Sequence, residues 1–250
     1  MQPYYEHKGI TIYNCDAREG LESVGRFDAT ITSPPYNLNT RVNKNREYIS
    51  RQVIPTEFSS KYDGYDDNLH PEDYFSMTNH VLELCLAACT SVFWNIQLAT
   101  GNKPAIAQLI GQHAHLLKEI AIWDKGHSQP AMKDGVMNSV FEFVLIFSND
   151  DPSTRQFKGC GFDRGTLDNV WRLQKGRSID PDHKAAFPPA LVDRCLQLQP
   201  SKRVLDPFMG TGTTLDVART MGAEAVGFEI SERYCEAAAK RLSQEVMDFT

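Results

Sequence analysis

No stretch of this 250-residue chain approaches the roughly 18 to 20 consecutive apolar residues that a membrane span requires. The opening MQPYYEHKGITIY has no basic segment followed by an apolar one, so no secretory signal is expected. Cysteine is sparse and scattered: Cys15, Cys85, Cys89, Cys160, Cys195 and Cys235 form no CxxC pair and no Cys/His set at zinc spacing. A disulfide framework and a bound metal are therefore not expected, and a reducing cytoplasm fits best. Cys85 and Cys89, four apart, read as two small core residues on one helix face.

Positive charge is also in short supply. With 26 Lys and Arg against 32 Asp and Glu the net charge is −6, which argues against a general coater of nucleic acid. The cations are unevenly spread, however. Residues 39–62 hold Arg41, Lys44, Arg46, Arg51 and Lys61 against Glu47 and Glu57. Residues 153–184 hold Arg155, Lys158, Arg164, Arg172, Lys175, Arg177 and Lys184 against Asp163, Asp168, Asp180 and Asp182. Each stretch suits either a solvated face or a polyanion contact.

What is present in quantity is alternation of two periodicities. GITIYNCDA, RFDATIT, SVFWNI, EIAIWDK, FEFVLIFSN, RVLDPF and EAVGFEI read as strands. Between them AREGLESV, HPEDYFSMTNHVLELCLAAC, KPAIAQLIGQHAHLL, FPPALVDRCLQL, TTLDVARTMG and SERYCEAAAKRLSQEV read as helices, the last with Ser231 as N-cap. The stripe of the second helix is expected to run through Phe75, Val81, Leu82, Leu84 and Leu86. Strands alternating with helices imply an α/β fold with a mostly parallel sheet covered on both faces. We expect one domain over residues 1–250, interrupted by polar insertions at 37–70 and 150–182.

Two segments break the pattern. In ITSPPYNLN a strand ends and Ser33, Pro34, Pro35, Tyr36 and Asn37 follow at once. Consecutive prolines remove two backbone donors and fix two φ angles, so the chain stiffens beside a hydroxyl and an aromatic ring. In DPFMGTGTT, Asp206 to Thr214, Gly210 and Gly212 allow positive φ and close approach of a ligand between a strand and a helix. An acid, Glu229, ends the next strand, the position that holds ribose hydroxyls in nucleotide-binding α/β sheets. The third glycine of a dinucleotide fingerprint is replaced by Leu215, and no Lys follows the glycines as a phosphate loop requires.

Together, TSPPYN and DPFMGTGTT resemble the S-adenosylmethionine-dependent methyltransferases that modify exocyclic amino groups of DNA bases. The order, SPPY early and the glycine turn late, resembles the permuted β class of that family. The resemblance implies a Rossmann-like methyltransferase sheet in circularly permuted motif order, with a small target-recognition insertion at 150–182. It implies S-adenosylmethionine as cofactor, held by Asp16, Phe187, Asp206, Phe208, Gly210, Gly212, Thr213, Thr214 and Glu229. Asp16 is equally a helix cap for AREGL. The catalytic segment is implied to be Ser33, Pro34, Pro35 and Tyr36.

The chemistry suits that assignment. The exocyclic nitrogen is a poor nucleophile because its lone pair is delocalised into the ring, and two acceptors drawing on its hydrogens localise that pair. Ser33 Oγ and the Pro34 carbonyl are the expected acceptors, fixed in advance by the prolines. Tyr36 is expected to stack on a base flipped out of the helix. Glu142, inside VFEFVLIF, is expected to be structural or to support the site from behind, and Asn37 to be a turn residue rather than a base contact. Arg41, Lys44, Arg46, Arg155, Lys158, Arg164, Lys175 and Arg177 are the expected contacts to double-stranded DNA. The resemblance allows a homodimer and a separately acting restriction endonuclease. No cysteine follows a proline, so carbon-5 cytosine methylation lacks a nucleophile. In the family that this chain resembles, Ser at the first position of the turn is more frequent among cytosine-N4 enzymes and Asp among adenine-N6 enzymes, so the resemblance implies cytosine N4, with adenine N6 as the alternative; a protein or RNA amino group and a non-catalytic binding domain are further readings.

Overall fold

The computed structural model describes residues 1–38, 68–128, 134–174 and 187–244. In chain order the elements are β1 (Tyr5–His7), β2 (Ile10–Asn14), α1 (Ala17–Gly20) with a 3-10 turn (Leu21–Ser23), β3 (Phe27–Thr32), α2 (Pro71–Ala88), β4 (Cys89–Ile96), α3 (Lys103–Gln112), β5 (Leu117–Asp124), β6 (Phe141–Ser148), β7 (Val170–Arg172), α4 (Pro189–Leu198), β8 (Arg203–Asp206), α5 (Thr213–Thr220), β9 (Glu224–Glu229) and α6 (Glu232–Leu242). The predicted helices and the seven predicted strands are all found.

The strands form one nine-stranded sheet in the order β1-β2-β9-β8-β3-β4-β6-β5-β7. Its centre, β2-β9-β8-β3-β4, is parallel throughout. The sheet is mixed beyond that, because β6 lies antiparallel between β4 and β5, and β1 antiparallel on β2. The last two strands of the chain thus sit between its second and third, so the early turn after β3 and the late turn after β8 become neighbours at one sheet edge.

Alternation along each strand divides the core into two layers. Ile31, Phe93, Val204 and Ala225 face one side, where α4, α5 and α6 pack through Leu191, Leu215 and Ala238. Trp94, Leu205, Val226 and Phe228 face the other, where α1, α2 and α3 pack through Ala17, Leu82 and Ile106. Strands buried on both faces read as near-continuous apolar runs, which is why they were visible in the sequence.

Pro71 fits the first turn of α2, where its missing N–H costs nothing, and Glu72 and Asp73 favour the positive end of the helix dipole. The buried stripe of α2 is Tyr74, Met77, Thr78, Val81, Leu82, Cys85 and Leu86, so Val81, Leu82 and Leu86 lie on it as expected, whereas Phe75 and Leu84 lie half-buried at its margins. Cys89 also departs from expectation: α2 ends at Ala88, and Cys89 opens β4, buried in the same layer as Cys85. Ser231 caps α6 as expected, its Oγ accepting from the Tyr234 N–H at 3.4 Å.

The glycine turn is locked to β9 by a close approach. A Cβ on Gly227 would lie 2.5 Å from Met209 Sδ and 3.0 Å from Leu215 Cδ2. Replacing Gly227 with Ala is therefore expected to cost about 1–3 kcal/mol through overpacking. Denaturant unfolding checks this, and a variant as stable as the parent would show that β9 and the turn are not packed this tightly.

Candidate active site

Four adjacent parallel strands, β2, β9, β8 and β3, end at the same edge, and each delivers a loop to one cleft. Cys15 to Arg18 follow β2, Glu229 and Ile230 close β9, Pro207 to Thr211 follow β8, and Ser33 and Pro35 follow β3. Met77 and Val81 of α2, Tyr234 of α6 and Phe187 ahead of α4 complete the wall. With its open mouth the cleft takes in about 990 Å³ of empty space. Clefts at the carboxyl ends of such strands are where open α/β sheets bind ligands.

The structure therefore brings Ser33, Pro35, Asp16, Phe187, Phe208, Gly210, Thr213 and Glu229 to one cavity. Glu229 is held by backbone donors: Oε1 accepts from the Ser231 N–H at 2.9 Å and Oε2 from the Gly210 N–H at 3.0 Å. Burial pushes its carboxyl up to about 7, against the pull of those two donors. Asp16 caps α1, accepting from the Arg18 N–H at 2.9 Å, while its carboxylate also meets the Arg18 guanidinium. The Arg18 contact holds the Asp16 carboxyl below its ordinary value. Gly210 (φ 52°) and Gly212 (φ 78°) use the left-handed backbone that the turn demands.

Asp206, Gly212 and Thr214 lie beneath the cleft rather than in its wall. Asp206 is 1% exposed; its Oδ1 accepts from Thr32 Oγ1 at 2.7 Å and from the Phe208 N–H at 3.1 Å. Burial raises its carboxyl to about 6. Thr214 Oγ1 donates to the Ile31 carbonyl at 3.2 Å, so both ties join the glycine turn to the last two residues of β3.

The segment after β3 is clamped from behind. Tyr74 donates its hydroxyl to the Pro35 carbonyl at 2.7 Å, and Asn102 Nδ2 donates to the Tyr36 carbonyl at 2.7 Å. Asn37 is fully buried at φ 50°, its amide donating to the Leu69 and Gly101 carbonyls and accepting from the Leu69 N–H. Its side chain serves the turn. Among the described residues no donor engages the Pro34 carbonyl. Tyr36 is 9% exposed, and its hydroxyl accepts from Ser33 Oγ at 3.1 Å and donates to Glu142 Oε2 at 2.6 Å. Tyr74 and Asn102 carry no sequence signal of these roles; Asn95, whose Nδ2 donates to Tyr36 Oη at 2.9 Å and to Glu142 Oε2 at 2.7 Å, shows only as a lone polar residue inside the apolar run SVFWNI.

The basic candidates are dispersed. Arg41, Lys44, Arg46, Lys175 and Arg177 lie outside the described residues, as does most of the 37–70 insertion. Arg155 pairs with Glu119 at the start of β5, and Lys158 lies 3.8 and 3.5 Å from Asp150 and Asp151. Two strands, β4 and β6, separate β5 from β3, so neither cation is brought to the cleft. Arg164 is exposed on the same segment. Arg172 of β7 sits opposite Asp124 at the carboxyl end of β5. Among the described residues no His, Cys, Asp or Glu cluster could hold a metal and no helix is long and apolar enough to cross a membrane.

The two raised carboxyls set a pH dependence. Asp206 and Glu229 keep their protons in the folded protein to about pH 6 and 7, whereas the unfolded chain releases them near their ordinary values of 3.8 and 4.5. The folded state then binds more protons across that window, so unfolding free energy falls as pH rises through it and levels off above about pH 7. Melting temperatures of the free protein are expected to decline correspondingly, and Glu229→Gln is expected to flatten the upper part of the decline. A Glu229→Gln profile parallel to the parent's would contradict the assigned cause.

The geometry now meets its relatives. The chain matches the N6/N4 DNA methylase family over residues 27–240. It is 27% identical over 282 residues to the type II methyltransferase M.ScaI of Streptomyces caespitosus, covering 98% of this chain and 84% of that protein. The PvuII DNA methyltransferase (cytosine-N4-specific) shares its fold with a TM-score of 0.71 at 17% identity, over 98% of this chain and 90% of that one. The M1.HpyAVI–SAM complex does so with a TM-score of 0.59 at 18% identity, over 93% and 99%. A sheet edge that joins an SPPY turn to a glycine turn, over a match of this extent, means that the chain belongs to the DNA methylase family.

Proposed function

We propose that this enzyme is a site-specific DNA methyltransferase that places a methyl group on the exocyclic N4 of a cytosine flipped out of double-stranded DNA. The observation that carries the reading is the position of Ser33 on the wall of the cleft that also contains Gly210 and Glu229. When bound there, S-adenosylmethionine supplies an electrophilic methyl group on a sulfonium centre.

The cleft fits that cofactor. Each oxygen of Glu229 has accepted one backbone N–H, which leaves acceptor capacity for two ribose hydroxyls. Phe187, Phe208 and Val81 offer apolar surface for an adenine, with Asp16 at the edge of the same wall. No Lys or phosphate loop is needed, and the acids favour a cationic ligand. Gly210 and Thr213 line the turn that such a ligand must approach closely, while Gly212 shapes it from below.

On the base side, Ser33 Oγ and the Pro34 carbonyl act as acceptors for the two amino hydrogens. Pro34 and Pro35 fix the backbone beforehand, and Tyr74 and Asn102 hold it there, so little ordering remains when the base arrives. Tyr36 holds the Ser33 hydroxyl from beneath. The basic residues of 39–62, together with Arg172 and the 150–182 segment, are the contacts we assign to DNA outside the cleft. A cytoplasmic enzyme acting alone, as a homodimer or beside a cognate endonuclease is compatible with this chemistry.

The test is incubation with tritiated S-adenosylmethionine and unmethylated genomic DNA, then digestion to nucleosides and mass spectrometry. N4-methylcytosine is expected. N6-methyladenine would keep the family and move the base, and no methylated nucleoside despite cofactor binding would shift the substrate to protein or RNA. Ser33→Ala is expected to keep cofactor affinity and lose about 100-fold or more in transfer rate; unchanged transfer would remove Ser33 from its assigned role.

A further inference from the structure

Behind Ser33 a chain of polar groups runs into the sheet, and its direction is fixed by what each group is able to do. Tyr36 Oη lies 2.6 Å from Glu142 Oε2, and a carboxylate only accepts, so the phenol hydrogen points to Glu142. Asn95 Nδ2 donates to the same Glu142 oxygen at 2.7 Å and to Tyr36 Oη at 2.9 Å. Turning the Asn95 amide over would set an oxygen against the carboxylate, so its orientation is fixed too. Lys125 Nζ holds the other carboxylate oxygen, Oε1, at 3.2 Å and is steadied by Gln97 Oε1 at 3.1 Å. With its own hydrogen committed, the Tyr36 oxygen has only lone pairs left. The 3.1 Å contact with Ser33 Oγ therefore requires Ser33 to donate.

The cost of this arrangement is visible. Glu142 and Lys125 are a largely buried ion pair, their side chains 9% and 14% exposed, and such a pair is poor value for stability alone. Asn95 Oδ1 is buried without a hydrogen-bond partner among the described residues, because the amide has committed both donors to Tyr36 and Glu142.

We propose that Glu142, set by Lys125 and Asn95, is a positioning residue that turns the Ser33 hydroxyl hydrogen away from the cleft, so that Ser33 meets the incoming amino group only as an acceptor. A serine hydroxyl is able to donate as well as accept, and a donor facing an amino group would oppose its hydrogens. Glu142 acts through Tyr36 and touches neither base nor cofactor. In Glu142→Gln the side chain is able to donate to Tyr36 Oη, which frees the phenol hydrogen for Ser33 and lets the serine hydrogen turn into the cleft. Tyr36→Phe keeps the ring and removes the oxygen that receives the serine hydrogen.

This inference rests on the DNA amino-methyltransferase reading, and the test separates the two. Single-turnover methyl transfer to saturating DNA and cofactor Kd are measured for the parent, E142Q, Y36F and the double variant. Each single variant is expected to slow transfer by about 10- to 100-fold. Cofactor Kd is expected to stay within about twofold, and the double variant to be no slower than the slower single one. E142Q at the parental rate would overturn the inference. So would losses that multiply in the double variant with cofactor affinity falling in parallel, the pattern of general loosening. Should E142Q not fold, Y36F decides alone: slowed transfer with cofactor affinity retained supports the device, and the parental rate overturns it. A parent enzyme that methylates no DNA overturns the function itself and this inference with it, whereas an active parent with an unimpaired E142Q overturns only the inference.

Discussion

The hydrogen bond from Thr32 Oγ1 to Asp206 Oδ1, 2.7 Å long and shut off from water, joins the two ends of the enzyme's chemistry. Thr32 is the last residue of β3, directly before the SPPY turn, and Asp206 is the last residue of β8, directly before the glycine turn. These residues are 174 apart in sequence, and the sheet makes them neighbours. Thr214 adds a second tie to the Ile31 carbonyl. With both turns fixed to one frame, the proposed reaction has the distance between methyl donor and base acceptors set by backbone rather than by loop motion, which is what proximity catalysis requires. Burial of Asp206 raises its carboxyl, so the junction itself carries an electrostatic cost that the surrounding donors partly offset.

The same pattern of a buried acid held by several converging donors recurs through the site. Glu229 is held by two backbone N–H groups, and Glu142 by Tyr36, Asn95 and Lys125. Acids concentrated at one sheet edge favour a cationic ligand. The backbone clamps do the complementary work: Tyr74 and Asn102 fix the two carbonyls that follow Pro34.

Much of the architecture was legible because it depends on local pattern. The apolar runs of β3, β4, β6, β8 and β9 mark strands buried on both faces, and Ser231 announced α6 by its capping chemistry. The two turns were legible because proline and glycine act through their own backbones. What the sequence concealed depends on distant partners. β1 and β7 are three residues each, too short to show a period, and exist because β2 and β5 offer an open edge. The burial of Tyr36 and the orientation of its hydroxyl are set by Glu142, 106 residues away. The pairing of Arg155 and Lys158 with acids around β5 could not be read from a count of charges. Glu142 did leave a trace, a single acid inside FEFVLIF, where an unpaired charge would be too costly to bury.

The central claim is that one cleft holds the methyl donor against Glu229 and presents its reactive end to Ser33. A crystal structure of the enzyme with S-adenosylhomocysteine tests this most directly. The account predicts the ribose hydroxyls within hydrogen-bond distance of the Glu229 carboxylate, the adenine between the apolar walls that include Phe187, and the sulfur on the side of the cleft that carries Ser33. A product molecule bound elsewhere, or in the same cleft with its sulfur turned away from Ser33, would contradict it.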